Sequence, residues 1–124
     1  MRLPMFNIST RFHPIRLTAF MRNEVELSVE IENKSESPLW TECDVAIPEA
    51  VSLAHDKELH RGRLRIGIIQ PGEILTGKCK IYANSRSYPE TYTVRLTGYG
   101  FGRDGAITAR EDKRADLRCE QIGR

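Results

Sequence analysis

The sequence predicts an all-β fold, an immunoglobulin-like antiparallel β-sandwich of about seven to eight strands in a Greek key, built as a single domain over residues 1–124. Three observations predict it. Apolar and polar residues alternate with a period of two along most of the chain, turn formers recur at roughly ten-residue intervals, and no segment carries a helical period of convincing length. Composition agrees, since 40% hydrophobic residues supply one core, and 29% charged residues with a net charge of +2 argue against wholesale disorder.

The first twenty residues predict an edge strand interrupted at Pro14, because proline has no N–H for a ladder, with Phe12, Ile15, Leu17 and Phe20 as inward anchors. The clearest strand follows. Val25, Leu27, Val29 and Ile31 alternate with Glu24, Glu26, Ser28, Glu30 and Glu32, and the loop Asn33-Lys34-Ser35-Glu36-Ser37-Pro38 ends it. From Leu39 to Ile47 the apolar face is Leu39, Thr41, Cys43, Val45 and Ile47, with Trp40, Glu42, Asp44 and Ala46 opposite, and Pro48 stops the run.

Residues 49 to 61 read as a polar connection in which Leu53 to Leu59 forms one helical turn at most. In the strand from Arg63 to Ile69, Leu64, Ile66 and Ile68 share a face opposite Arg63 and Arg65. Gln70-Pro71-Gly72-Glu73 then fits a type II turn, whose third position needs the positive φ that glycine accepts. Leu75, Gly77, Cys79 and Ile81 form the inner side of the next strand, with Thr76, Lys78 and Lys80 outside. After a loop from Asn84 to Glu90, Tyr92, Val94 and Leu96 alternate with Thr91, Thr93, Arg95 and Thr97. Asp104-Gly105 marks a hairpin from which Ile107 to Arg110 returns. Glu111-Asp112-Lys113-Arg114 interrupts the alternation before Ala115, Leu117 and Cys119 resume it, which predicts a bulge there.

Three stretches carry a resemblance: Val29 to Ser35 (Val-Glu-Ile-Glu-Asn-Lys-Ser), Ile66 to Glu73 (Ile-Gly-Ile-Ile-Gln-Pro-Gly-Glu) and Pro89 to Val94 (Pro-Glu-Thr-Tyr-Thr-Val). With them, Glu24 to Gly105 resembles the CARDB-type and related β-sandwich modules of archaea and bacteria. The resemblance implies the sandwich fold and an adhesive or scaffolding role. It carries no catalytic residues.

No apolar run approaches the roughly 20 residues of a membrane-spanning helix, and the opening Met1-Arg2-Leu3-Pro4-Met5 lacks the apolar core of a signal peptide, so the chain reads as cytoplasmic. Its two Asn-x-Ser sequons, at Asn7 and Asn33, are then coincidental. Cys43, Cys79 and Cys119 form no C-x-x-C pair and are expected as free, mostly buried thiols. In a sandwich, Cys43 and Cys119 point inward from one sheet with a strand between them, about 9 to 10 Å apart and beyond disulfide reach. Cys79 comes from the other sheet. Tyr92 falls where a tyrosine corner places its hydroxyl on upstream backbone.

Catalytic patterns are missing from the sequence. His55, Asp56 and His60 read as loop polarity rather than a metal site, and Gly98, Gly100 and Gly102 end a strand rather than open a helix that binds phosphate. No cofactor is implied and no enzyme activity is expected.

Charge order says more. Residues 1 to 23 carry four arginines and no acid, residues 24 to 58 ten acids and two lysines, residues 59 to 103 eight bases and two acids, and residues 104 to 124 five of each. Immunoglobulin-like order pairs the strand at 24–32 with that at 75–81, and the latter with that at 63–69. Glu26 and Glu30 are therefore expected across from Lys78 and Lys80, with Arg63 and Arg65 beyond. The favoured function is a non-enzymatic protein-binding or scaffolding module. Trp40, on the Glu42 and Asp44 side, is expected to project beside Arg95, Thr97 and Tyr99 as an anchor for a protein partner or a second copy. The alternative is nucleic-acid association through Arg61, Arg63, Arg65, Lys78, Lys80 and Arg86, with Tyr82 and Tyr88 nearby.

Overall fold

Alternating side chains make strands because a pleated backbone sends neighbours to opposite faces, and a strand with one apolar face has to bury it against another sheet. The computed structural model describes residues 5–122; residues 1–4, read above for a leader, and 123–124 lie outside the described residues. Eight strands form: β1 (Phe6–His13), β2 (Arg16–Thr18), β3 (Asn23–Asn33), β4 (Leu39–Ala46), β5 (Arg61–Ile69), β6 (Ile74–Ala83), β7 (Glu90–Phe101) and β8 (Ile107–Glu120). They build two sheets, β1-β3-β6 and β2-β8-β7-β4-β5. This is the immunoglobulin-like sandwich.

All strand pairs are antiparallel except β2 with β8, which run parallel. Val25, Leu27, Val29 and Ile31 of β3 and Ile81 of β6 face Val45, Val94, Leu96 and Leu117 of the larger sheet across a closed core. Tyr92 is buried and donates its hydroxyl to the carbonyl of Tyr88, completing the tyrosine corner. Gly72 has φ 80° and the Glu73 N–H donates to the Gln70 carbonyl at 2.9 Å, as the Pro-Gly turn requires. Among the described residues no helix is long and apolar enough to cross a membrane.

The structure departs from the sequence reading in five places. The first is strand order: β5 pairs with β4 in the larger sheet, not with β6. The turn at 70–73 therefore crosses between sheets instead of closing a hairpin. Asn33, wholly buried at the end of β3, holds it there, because its backbone bonds Gly72 and Glu73 and its amide donates to the carbonyls of Ile69 and Ser37 at 2.8 Å.

The second lies inside β5. Gly67 has φ 117° and the β4–β5 register shifts between Thr41 and Glu42, so the bulge inverts the alternation. Ile69 turns into the core and Ile68 turns out, 56% exposed, rather than sharing a face with Leu64 and Ile66.

The third concerns the N-terminal anchors. β1 buries Phe6 and Ile8 and half-buries Phe12, while β2 buries Leu17. Ile15 lies in the bend where the chain changes sheets and is 75% exposed, and Phe20, in a turn at φ 62°, is 48% exposed.

The fourth is β8, which runs through 111–114 without a bulge; the irregularity lies nearer the hairpin, opposite Gly100 and Phe101, where Thr108 is the extra residue. Glu111 and Lys113 keep the inward parity of Ala109 and Ala115. They can do so because β2 covers only residues 118–120, leaving the rest of β8 as the sheet rim, where inward-pointing charge blunts edge pairing. The fifth is the cysteine geometry. Cys43 and Cys119 do flank β7, but Cys43 sits opposite Gly98 and Cys119 opposite Glu90, eight β7 residues or about 27 Å apart along the strand.

Candidate binding face

The outward side chains of the five-stranded sheet fall into rows set by register. Ile68, Trp40, Phe101 and Ile107 are successive cross-strand partners over β5, β4, β7 and β8. Trp40 is 40% exposed, Ile107 58% exposed and Phe101 half-buried, so an apolar row crosses four strands in the open at one end of the face. Next come Arg65, Glu42, Tyr99 and Arg110, then Arg63, Asp44, Thr97 and Asp112, and then Arg61, Ala46, Arg95 and Arg114; beyond these, Thr93 with Asp116 and Thr91 with Arg118 continue the face on β7 and β8. On the inner side, Gly98 and Gly100 let β1 approach: a Cβ on Gly100 would lie 2.5 Å from the Phe6 ring.

The two middle rows are tightly cross-linked. Arg63 forks onto Asp44 through Nε (2.6 Å) and Nη2 (3.1 Å) and reaches Glu42 through Nη1 (3.1 Å). These carboxylates hold its guanidinium still more firmly protonated than usual, Asp44 foremost. Glu42 also accepts the Trp40 indole N–H at 2.8 Å, which fixes the ring's orientation. The guanidiniums of Arg63 and Arg110 lie 5.4 and 5.9 Å from the Tyr99 ring centre. Thr97 donates to Asp112 at 2.9 Å. Trp40 and Tyr99 therefore belong to one surface, as expected. Arg95, by contrast, lies six residues of strand from the Trp40 row, about 20 Å away.

The basic set does not form one surface. Arg61, Arg63 and Arg65 point outward from the larger sheet, whereas Lys78 and Lys80 point outward from the smaller one, where they bridge to Glu26 (3.7 Å) and Glu24 (2.9 Å). Glu24 raises the Lys80 ammonium above its ordinary value, chiefly through that hydrogen bond. Glu30 faces Thr76 instead of a lysine, and Arg86 bridges to Glu58 at 2.9 Å. The split follows from β5 joining the other sheet.

His55 and Asp56 line an open groove of about 720 Å³ at one end of the sandwich, with Arg22, Glu24, Tyr82 and Arg86. His55 Nδ1 lies 3.9 Å from Asp56 Oδ1. Among the described residues no three His, Cys, Asp or Glu side chains gather as metal ligands would. Burial pushes the Cys43 thiol up to about 12 and the Cys79 thiol up to about 11, so both are neutral and poor nucleophiles.

Ile68, Phe101, Ile107 and Arg114 were not singled out from the sequence. For Ile68 a signal existed, since a glycine inside a strand marks a bulge and Gly67 precedes it. Arg114 sits in a charge run that hid its strand parity.

These features define an immunoglobulin-like sandwich with one patterned sheet face. No protein-family model matches the chain, and no curated protein matches it. Solved structures do. The chain is similar to E. coli alpha-2-macroglobulin in its native conformation, with a TM-score of 0.62 and 14% identity over 94% of this chain and 7% of that one. It is similar to Pseudomonas fluorescens alkylpurine DNA glycosylase AlkC bound to DNA containing an abasic site analogue, with a TM-score of 0.57 and 12% identity over 94% of this chain and 31% of that one. A FixG-related protein from Vibrio parahaemolyticus matches with a TM-score of 0.52 and 14% identity, over 93% of this chain and 98% of that one. The chain thus spans under a third of the glycosylase and a small fraction of the macroglobulin. At such identities the likeness shows the fold alone.

Proposed function

We propose that this domain is a non-catalytic protein-binding module that docks an extended segment of a partner protein on the outer face of the five-stranded sheet. The exposed row Ile68, Trp40, Phe101 and Ile107 carries the reading, because isolated apolar side chains are ordinary on surfaces but a row aligned across four strands is not. Trp40 is a pre-oriented anchor, pinned by Glu42, and rigid aromatics beside arginine are the residue types that dominate interfaces.

Size sets the partner's form. From the Trp40 row to the Ala46 row is about 20 Å, and β5 to β8 is about 14 Å, which gives roughly 300 Å². A stable interface takes about 800 Å² per partner. The face fits a strand-like segment of about six residues better than a whole globular surface. The resemblance to CARDB-type modules, with their adhesive or scaffolding roles, supports the same reading.

Nucleic-acid association has less support. Guanidiniums on the Tyr99 ring occupy the surface on which a base would stack, and Glu42, Asp44 and Asp112 sit in the middle of the face.

The test is a photo-cross-linking residue placed at Phe101 or, as control, at Lys78 on the opposite face, in the cell of origin. The Phe101 position captures a protein, and Trp40→Ala combined with Ile68→Ser abolishes capture. Equal capture from Lys78, or a product that is only a second copy of this chain, overturns the proposal.

A further inference from the structure

We infer that the row Arg61, Ala46, Arg95 and Arg114 is a carboxylate-binding site that receives an acidic stretch of the docked segment, an inference that rests on the docking reading above. Elsewhere on this face each of these arginines has an acid beside it: Arg63 pairs across strands with Asp44 and Glu42, Arg16 across strands with Glu120, Arg110 and Arg118 with Asp112 and Glu120 two residues along β8, and Arg65 stands opposite Glu42 in register. The row at Ala46 differs in having no acid opposite any of its arginines. Arg95 lies directly opposite Arg114, and Arg61 lies across Ala46 from Arg95. All three are exposed, and none makes an ion pair among the described residues.

Like charges directly opposite one another weaken a sheet, and the acids of β8 on this face, Asp112 and Asp116, lie one row to either side of Arg114 rather than opposite it. An anionic ligand laid across the row relieves the repulsion. Strand spacing puts Arg95 about 5 Å from Arg114 and about 10 Å from Arg61 at the backbone, and the short Ala46 side chain leaves a notch between Arg61 and Arg95. Guanidinium forks grip planar carboxylates with two parallel hydrogen bonds, and long side chains from three strands converge on the acidic residues where the segment crosses the row.

Polarity then follows for the whole segment. Its apolar side chains lie on the Trp40 row, and its acidic end lies about six extended residues away on the arginine row. The neutralised middle rows separate the two ends.

Fluorescein-labelled hexaglutamate is the probe, followed by fluorescence anisotropy at low salt, with single-stranded dT12 as the comparison polyanion. The inference predicts binding that weakens steeply with salt and falls at least tenfold when Arg95→Gln and Arg114→Gln are combined. Arg114→Glu abolishes binding yet raises the Tm, because it replaces a like-charged cross-strand pair with an opposite one. On the unmodified protein, hexaglutamate shifts the backbone amide resonances of Arg61, Ala46, Arg95 and Arg114. No binding, shifts centred on Lys78 and Lys80, or tighter dT12 binding lost with the same arginines overturns the carboxylate assignment. Hexaglutamate has no apolar side chain, so its binding is indifferent to Trp40→Ala. If hexaglutamate binds but capture at Phe101 fails, the docking reading alone fails; if capture succeeds and hexaglutamate does not bind, the arginine-row inference alone fails.

Discussion

Asn33 shows how one buried polar side chain selects a topology. Its amide donates to the carbonyls of Ile69 and Ser37, its Oδ1 accepts from the Ser35 backbone and hydroxyl, and its own backbone holds the 70–73 turn. Asn33→Ala removes the side-chain donor from the buried Ile69 carbonyl and is expected to destabilise the domain by about 1–3 kcal/mol in urea unfolding. Cys43 gives a pH signature. Its thiol, wholly buried, is pushed up to about 12 by burial first and by Asp44 next, while a thiol in the unfolded chain titrates near 9.0. Above pH 9 the unfolded chain sheds this proton and the folded one keeps it, so stability that is full below pH 9 is lost as pH rises towards 12. Cys43→Ala is expected to flatten that alkaline decline, as measured by urea midpoints from pH 8 to 11. Tyr92's corner is legible in the sequence because the motif is local. Asn33 reads there as an ordinary turn former, since its partners Ile69 and Glu73 lie about forty residues away.

At the scale of elements, alternation alone marked β3, β4, β6 and β7 and the faces they bury, because a half-buried strand writes its own period. Which strand lies beside which is not written that way. The period of β5 is equally satisfied next to β4 or β6, and what decides is the crossing turn held by Asn33 together with the pairing of Arg63 to Asp44. Gly67 is the second determinant. At φ 117° a side chain is strained even though the nearest atom a Cβ would meet there, Leu75 Cδ1, is 3.7 Å away. Gly67→Val is expected to destabilise by roughly 1–3 kcal/mol in urea unfolding, and it also removes the bulge that turns Ile68 outward. β8 carries the complementary lesson: its charged run reads as an interruption, yet a rim strand tolerates inward-pointing Glu111 and Lys113 without breaking register.

For the molecule as a whole, the net charge of +2 conceals an ordered surface. The smaller sheet matches Glu24 and Glu26 with Lys80 and Lys78, the middle of the larger sheet matches Arg63 with Asp44 and Glu42, and an apolar row and an arginine row lie to either side of that middle. That Trp40 and Tyr99 share an outward face is legible from strand parity. Arg95 was placed on the correct face but in the wrong company, because parity gives a face and only register gives a row. The chain contains one tryptophan, and it lies in the apolar row, so its emission reports directly on occupancy of the face. The decisive measurement is acrylamide quenching and emission of Trp40 as the captured partner is added. Docking on this face shifts the emission to the blue and lowers the quenching constant in step with binding. A partner that binds while Trp40 emission and quenching stay unchanged contradicts the account.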